Sequence, residues 1–267
     1  RIIVLVDLSD YSENLIDFAF SLSNIIYAKV IFVHQVSGMA PAMANHNSRA
    51  EIIRTEKEEA SSRLWKLTKK VAYSADSLHV SEKPILDTLE ELKEDHYFDW
   101  VLAGLKGSDI LKRLFIGSTA LSVVNDSDLM TIAIPVQKSI AVPKKLLVGV
   151  NQKYEMNKLQ FTAILSALAG QVEKVEFFTI LKDDEDEQRA HQYLNHLHDE
   201  FKAYNSSTLL FKGKDVFTDL KHHVDQTKDA FLVLQQGSRS LQDYILRKFM
   251  INELVYTGLT PLIVLSK

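Results

Sequence analysis

The feature that most limits how this chain can fold is that it is written twice. The run Arg1–Asp7 (RIIVLVD) resembles Lys145–Asn151 (KLLVGVN), 144 positions later, and Val30–His34 resembles Val175–Thr179 at an offset of 145. The offset then falls to 130. Ala60, Leu64, Leu67 and Val71 match Ala190, Leu194, Leu197 and Phe201. Asp99–Leu102 matches Asp229–Leu232, Leu114–Ile116 matches Tyr244–Leu246, and Ile132–Ile134 matches Leu262–Val264. Self-similarity over a whole chain means two structural units of one kind. The expected division is a first unit at 1–137, a linker at 138–143 and a second unit at 144–267. The fall in offset gives the first unit about 15 more residues, which form a loop from Val36 to Arg49. Connections of this kind usually span about 2–6 residues.

Within each unit, strand and helix alternate. Ile2–Val6 is a short apolar run, as suits a strand buried on both faces of a parallel sheet. Leu15, Phe18, Leu22 and Ile25 fall at helical spacing, with Ser9 or Ser12 as cap. Further strands are expected at 29–34, 78–80, 100–103 and 131–134, and helices around 60–71, 84–92 and 118–124. Such alternation predicts an α/β fold with an open parallel sheet covered by helices on both faces.

Composition removes several function classes. There are no cysteines, so disulfides, thiolate chemistry and Cys-based zinc sites are out. The net charge is −4 with no basic stripe, which argues against nucleic acid as a partner. No apolar run approaches the roughly 20 residues that span a bilayer, so no membrane role is expected. The chain opens on a strand and not on a secretory signal. It does not begin with Met, so residues are expected upstream of Arg1. A cytoplasmic location is expected.

One pattern carries chemistry. Immediately after the fourth strand come Gly104 and Gly107, then nine residues, then Gly117, Ser118 and Thr119. Glycines at a strand's carboxyl end allow a tight turn and close approach of N–H groups to an anion. Gly117 and Ser118 open the next helix, and a helix N-terminus favours phosphate. Asp7 lies at the end of the first strand. Ligands of open α/β sheets bind where the strand order reverses, which would bring Asp7 and the glycine loop together.

These residues resemble the universal stress protein family. Its pattern of Gly, two residues, Gly, nine residues and Gly-Ser/Thr is reproduced by Gly104, Gly107, Gly117 and Ser118. Its Asp-x-Ser-x-x-Ser-like stretch is Asp7–Ser12 here. The resemblance covers the whole chain as two repeats. It implies two doubly wound five-stranded parallel sheets of strand order 3-2-1-4-5, flanked by helices and joined as an intrachain pseudo-dimer. Fifth-strand edges Ile132–Ile134 and Leu262–Val264 would pair. A further homodimer of the two-repeat chain is also implied.

The resemblance implies an adenine nucleotide as ligand, ATP or AMP, with Mg as an optional companion. Asp7 would contact the adenosine portion. Gly104, Gly107, Gly117, Ser118 and Thr119 would hold the phosphates, and Gln35 would meet the base through its backbone. In the second unit the same offsets replace Asp7 by Asn151, Gly104 by Leu234, and Gly117 with Ser118 by Arg247 and Lys248, while Gly237 keeps the second glycine. Binding is therefore expected in the first unit only.

Other readings stand beside these. Asp7 alone could be a helix cap, a role that Asn151 would keep. The Val36–Arg49 loop could be a lid over the nucleotide or filler. His191 and His198 share a predicted helix face, but no third ligand is placed with them, so no metal site is expected. The acidic run 183–187 lacks calcium-loop spacing. No general base or carboxylate pair stands near the glycines, so a regulatory or sensor role is favoured over an enzyme, with no catalytic residue assigned. The alternatives are a non-binding interaction module or a slow ATPase.

Overall fold

The computed structural model describes residues 1–37, 46–68, 75–105, 118–135, 139–181, 185–213, 215–236 and 260–266. The strands are β1 (Ile2–Leu5), β2 (Val30–Gln35), β3 (Leu78–Ser81), β4 (Trp100–Leu105), β5 (Met130–Pro135), β6 (Lys145–Gly149), β7 (Lys174–Leu181), β8 (Ser207–Lys212), β9 (Ala230–Gln235) and β10 (Leu262–Leu265). The helices are α1 (Ser12–Ile26), α2 (His46–Thr68), α3 (Ile85–Leu92), α4 (Ser118–Asp126), α5 (Lys158–Ala167), α6 (Glu187–Glu200) and α7 (Val216–Gln226).

The two five-stranded halves join through their fifth strands into one ten-stranded sheet, in the order β3-β2-β1-β4-β5-β10-β9-β6-β7-β8. All pairs are parallel except β5 with β10, where Leu262 lies opposite Ala133, Ile263 opposite Ile132 and Val264 opposite Thr131. An exposed apolar strand edge invites pairing, and here each fifth strand covers the other.

One face of the sheet carries α1, α2, α5 and α6 over a core that runs without a break between the halves. Phe18 of α1 stacks on Phe231 of β9, with ring centroids 6.0 Å apart. The opposite face carries α3 and α4 over Ile3, Val101 and Ala103, and α7 over Leu147, Phe178 and Leu232. Central strands are buried on both faces, which is why β1 reads as four consecutive apolar residues, all buried. At the opposite edge of the strands the Arg1 guanidinium grips Asp99 through two hydrogen bonds of 2.8 and 2.7 Å. It also contacts Glu94 and lies 4.6 Å over the Tyr97 ring.

Two sequence expectations change. The extra residues of the first half are largely helix and not loop, since α2 starts at His46 and has 23 residues against 14 in α6. Helix-forming residues with i,i+3 and i,i+4 charge pairs, Arg54 with Glu51 and with Glu58, support this extension. Residues 38–45 of the expected loop lie outside the described residues.

The second change concerns register. β1 sets Ile2 beside Trp100, and β6 sets Leu146 beside Phe231. The counterpart of Trp100 is thus Phe231, an offset of 131 and not 130. Both rings pack in the same core, whereas Ala230 faces the other side of the sheet. The extra residue lies between β8 and α7, where Ile85 corresponds to Val216 and Leu89 to Leu220. Gly213 sits in that connection at φ +122°, a conformation open to glycine.

Candidate functional site

At the carboxyl ends of β1 and β4 the sheet opens into a cleft of about 220 Å³. Topology dictates its place. β1 leads into α1 on one face, while α4 covers the other face, so the chain parts above these two strands. Leu5, Val33 and Ala103 form the floor, and Ile85 and Ala120 flank it on the side of α3 and α4. Asp7, Ser9, Tyr11 and Ser12 form one wall, His34 and Gln35 another, and Gly104 borders the β4 end.

Asp7 organises its own loop. Its Oδ1 accepts from the Ser9 amide at 3.0 Å, the Ser9 hydroxyl at 2.7 Å and the Ser12 hydroxyl at 3.0 Å. Neither serine caps α1 as expected. The N-cap position is Tyr11, which makes no side-chain capping bond, and both hydroxyls turn to Asp7 instead. Between them Leu8 is held at φ +57°. A left-handed conformation costs a branched residue roughly 1–2 kcal/mol. The loop is pinned by Arg63 of α2, whose guanidinium donates to the Leu8 carbonyl at 3.1 Å. Nearby, His34 Nδ1 donates to the Val6 carbonyl at 2.7 Å, tying the end of β2 to that of β1.

Of the expected site residues, Asp7, Gln35 and Gly104 meet at this cleft. Ser118 and Thr119 open α4, whose first turn brings Ala120 to the cleft, while their side chains lie outside the described residues. Gly107, Gly117, Gly237, Arg247 and Lys248 also lie outside them. Leu5, Val33, Ala103 and Ile85 were not singled out as site residues. In the sequence they read as ordinary core, and only their position at strand and helix ends sets them apart.

Among the described residues, side chains of the second half occupy the corresponding place. With the corrected register, Gly104 corresponds to Gln235, and Leu234 corresponds to Ala103. The pairing of Gly104 with Leu234 expected from the sequence is therefore wrong by one residue, and a one-residue slip moves a side chain to the other face. The consequence is a size exchange. In β1 and β4, Leu5 lies beside Ala103, and in β6 and β9, Gly149 lies beside Leu234. A Cβ on Gly149 would stand 2.8 Å from Leu234 Cδ2 and 3.0 Å from Phe178 Cζ. Phe178 itself stands where the first half has Val33, each beside its central strand at that level.

Gln235 completes the closure. Its Oε1 accepts from the Asn157 amide at 2.8 Å, and its Nε2 donates to the Ser266 carbonyl at 2.8 Å. Asn157 also donates to that carbonyl at 3.1 Å, and Gln160 bonds both the hydroxyl and the amide of Ser266. A fully paired polar network thus ties β9, α5 and the end of β10 together. Asn151 Oδ1 accepts from the Lys153 amide at 2.8 Å, the same turn that Asp7 makes, without the charge.

A second polar cluster lies at the other end of the strands. Glu176 of β7 is buried and accepts from Lys174 at 3.2 Å, from the Ser207 hydroxyl at 3.1 Å and from His223. Burial pushes its carboxyl up, but the His223 and Lys174 hydrogen bonds outweigh it, and the net shift is downward. Its oxygens are engaged within the fold, so the cluster is structural. His191 pairs weakly with Glu187 at 4.0 Å, and His198 contacts the Ser206 hydroxyl at 2.9 Å. Among the described residues no group of three potential metal ligands comes together, and no helix is long and apolar enough to cross a membrane.

The chain resembles known proteins in two ways. A sequence model of the Universal stress protein family matches residues 1–135, half of the chain. A universal stress protein from Archaeoglobus fulgidus DSM 4304 superposes with a TM-score of 0.67 at 12% identity, covering 99% of this chain and 98% of that one. A putative universal stress protein from Pseudomonas aeruginosa UCBPP-PA14 gives 0.65 at 12% identity, covering 100% and 93%. At that identity the superpositions speak for the fold alone. No curated protein matches. With the first five strands and their cleft inside the matched span, the chain belongs to the universal stress protein family.

Proposed function

We propose that this protein binds one adenine nucleotide, ATP or AMP, in the cleft of its first half, and works as a regulatory or sensor protein in the stress response. The observation that carries this reading is the contrast between the halves. The first leaves a cleft beside Gly104 and Asp7, and the second fills that place with Leu234, Phe178 and the Gln235 network. On this reading the chain is a tandem repeat whose second copy has become structural and serves as a built-in partner through β5 and β10. Asp7 contacts the adenosine portion and Gln35 the base. Gly104, Gly107 and Gly117, with Ser118 and Thr119, hold the phosphates, and Mg accompanies a triphosphate. Asp7 spends one oxygen on three hydrogen bonds that shape its loop, a positioning arrangement more than that of a general base. Slow hydrolysis is compatible with the reading and rapid turnover is not part of it. We place the protein in the cytoplasm, as a homodimer of the two-repeat chain.

Calorimetric titration of ligand-stripped protein tests this. ATP or AMP should bind at one site per chain. Gly104→Gln, which imports the residue that stands at Gln235, should abolish binding, and Gln235→Ala should leave it unchanged. Absence of any binding heat would sink the proposal and favour a non-binding interaction module.

A further inference from the structure

Helix α1 starts on a residue that does nothing for the helix. Tyr11 holds its N-cap position, where a small polar side chain ordinarily satisfies a free amide, and makes no capping bond. The second half keeps the rule. The buried residues Leu15, Phe18 and Leu22 of α1 correspond to Phe161, Ile164 and Leu168 at an offset of 146, which sets Tyr11 against Asn157. Asn157 Oδ1 accepts from the Gln160 amide at 3.0 Å and so caps α5. Its own amide donates to Gln235 Oε1, and its Nδ2 to the Ser266 carbonyl. One asparagine thus caps the helix and closes the second half. At the same place the open half carries an aromatic ring.

Tyr11 lines the cleft, as does Leu15 one turn further along α1, above the apolar floor of Leu5, Val33 and Ala103. It is 40% exposed, and of the exposed large apolar side chains among the described residues it alone lines the cleft. Its backbone is held on both sides. Asp7 binds the hydroxyls of Ser9 and Ser12, and the Ser12 amide donates to the Ser9 carbonyl at 3.0 Å. A tyrosine on a fixed backbone offers a large contact area at little cost in conformational entropy. A ring beside an apolar floor suits a planar ligand ring better than a charged group.

Resting on the adenine-nucleotide reading above, we propose that Tyr11 is a binding residue that stacks on the base of the nucleotide. Every base has a π-face, so the contact adds affinity without choosing among bases. It acts on the nucleoside end of the ligand, and its contribution is therefore the same for AMP and ATP. A residue that breaks a local rule with no gain to the fold is expected at a functional position.

The test is calorimetric titration of ATP and of AMP into the ligand-stripped full chain, with Tyr11→Phe, Tyr11→Trp and Tyr11→Ala alongside and thermal unfolding without nucleotide as the folding control. Tyr11→Phe should bind as wild type does. Tyr11→Trp should also bind, and its added indole emission should be quenched on binding beyond any change in wild type. Tyr11→Ala should weaken ATP and AMP by the same factor, about ten-fold or more, with its unfolding midpoint unchanged. Wild-type affinity in Tyr11→Ala overturns the assignment. A loss confined to ATP overturns it too, because it would set Tyr11 at the phosphates. If wild type binds neither nucleotide, the adenine-nucleotide reading fails first and this one falls with it.

Discussion

The exchange of sizes between Leu5 with Ala103 and Gly149 with Leu234 makes a quantitative prediction about stability. Gly149→Ala places a methyl 2.8 Å from Leu234 Cδ2 and 3.0 Å from Phe178 Cζ. The leucine methyl can give way, but Phe178 is fully buried and set edge-on against Phe211 at 6.0 Å. Overpacking of this kind costs about 1–3 kcal/mol. Replacing a glycine returns about 0.4–1 kcal/mol through the unfolded chain. The net expectation for Gly149→Ala alone is a loss of about 1–2 kcal/mol. Leu234→Ala alone should cost about 2–3 kcal/mol, at the low end for such truncations because the side chain is only partly buried. In the Leu234→Ala background the methyl added by Gly149→Ala enters vacated space, so it should be neutral or stabilising by up to about 1 kcal/mol. The coupling in the double-mutant cycle is therefore about 1–3 kcal/mol in favour of the double variant. Urea unfolding of the four proteins measures it, and in a thermal scan each kcal/mol is worth about 2–4 °C for a chain approaching this size. If Gly149→Ala costs the same in both backgrounds, within about 0.5 kcal/mol, the packing argument is wrong.

The hydrogen bonds supply two more predictions. Asp7→Asn should keep its turn, as Asn151 does, with a stability change under about 1 kcal/mol, yet weaken ATP by about ten-fold or more, whereas Asp7→Ala should also lose about 1–2 kcal/mol of stability. Unfolding curves beside calorimetry separate the two effects, and equal ATP affinity in wild type and Asp7→Asn would remove Asp7 from the site. For Glu176 the folded carboxyl is held below its ordinary value, so its contribution is present above the ordinary carboxylate range and lost as pH falls through the lowered value. The stability gap between wild type and Glu176→Gln should thus be wide at about pH 7 and close as the pH falls below the ordinary carboxylate range and through the lowered value. A gap independent of pH would show that the pair with His223 and Lys174 is not responsible.

Much of the fold was legible because strand and helix periodicities differ, and because the pattern occurs twice. The runs at Ile2–Val6, 29–34, 100–103 and 131–134 read as strands and lie in β1, β2, β4 and β5, and the helical stripe of α1 is buried as its spacing predicts. The start of α2 was missed because its first turns are polar and pack little, so only propensity and charge pairing mark them. The register of β9 was missed for a different reason. Asp99 and Asp229 suggest an alignment that geometry refuses. Asp99 is the buried partner of Arg1, while Asp229 sits at φ +55° and accepts the amides of Lys144 and Lys145 through its carbonyl.

The candidate site divides along the same line. Asp7 and Gly104 could be marked as candidates from residue type and position, a carboxylate after one strand and a glycine ending another, and both line the cleft. That Gln235 and not Leu234 stands at the place of Gly104 could not. It depends on which residues lie side by side in neighbouring strands, and an inserted residue in a distant loop shifts that by one. The pairing of β5 with β10 was expected, whereas the occupation of the second site arises from contacts between segments far apart in the chain, such as Asn157 with Ser266. Local sequence sets the elements and their chemistry, whereas volume and hydrogen-bond complementarity across the assembled sheet decide which half stays open.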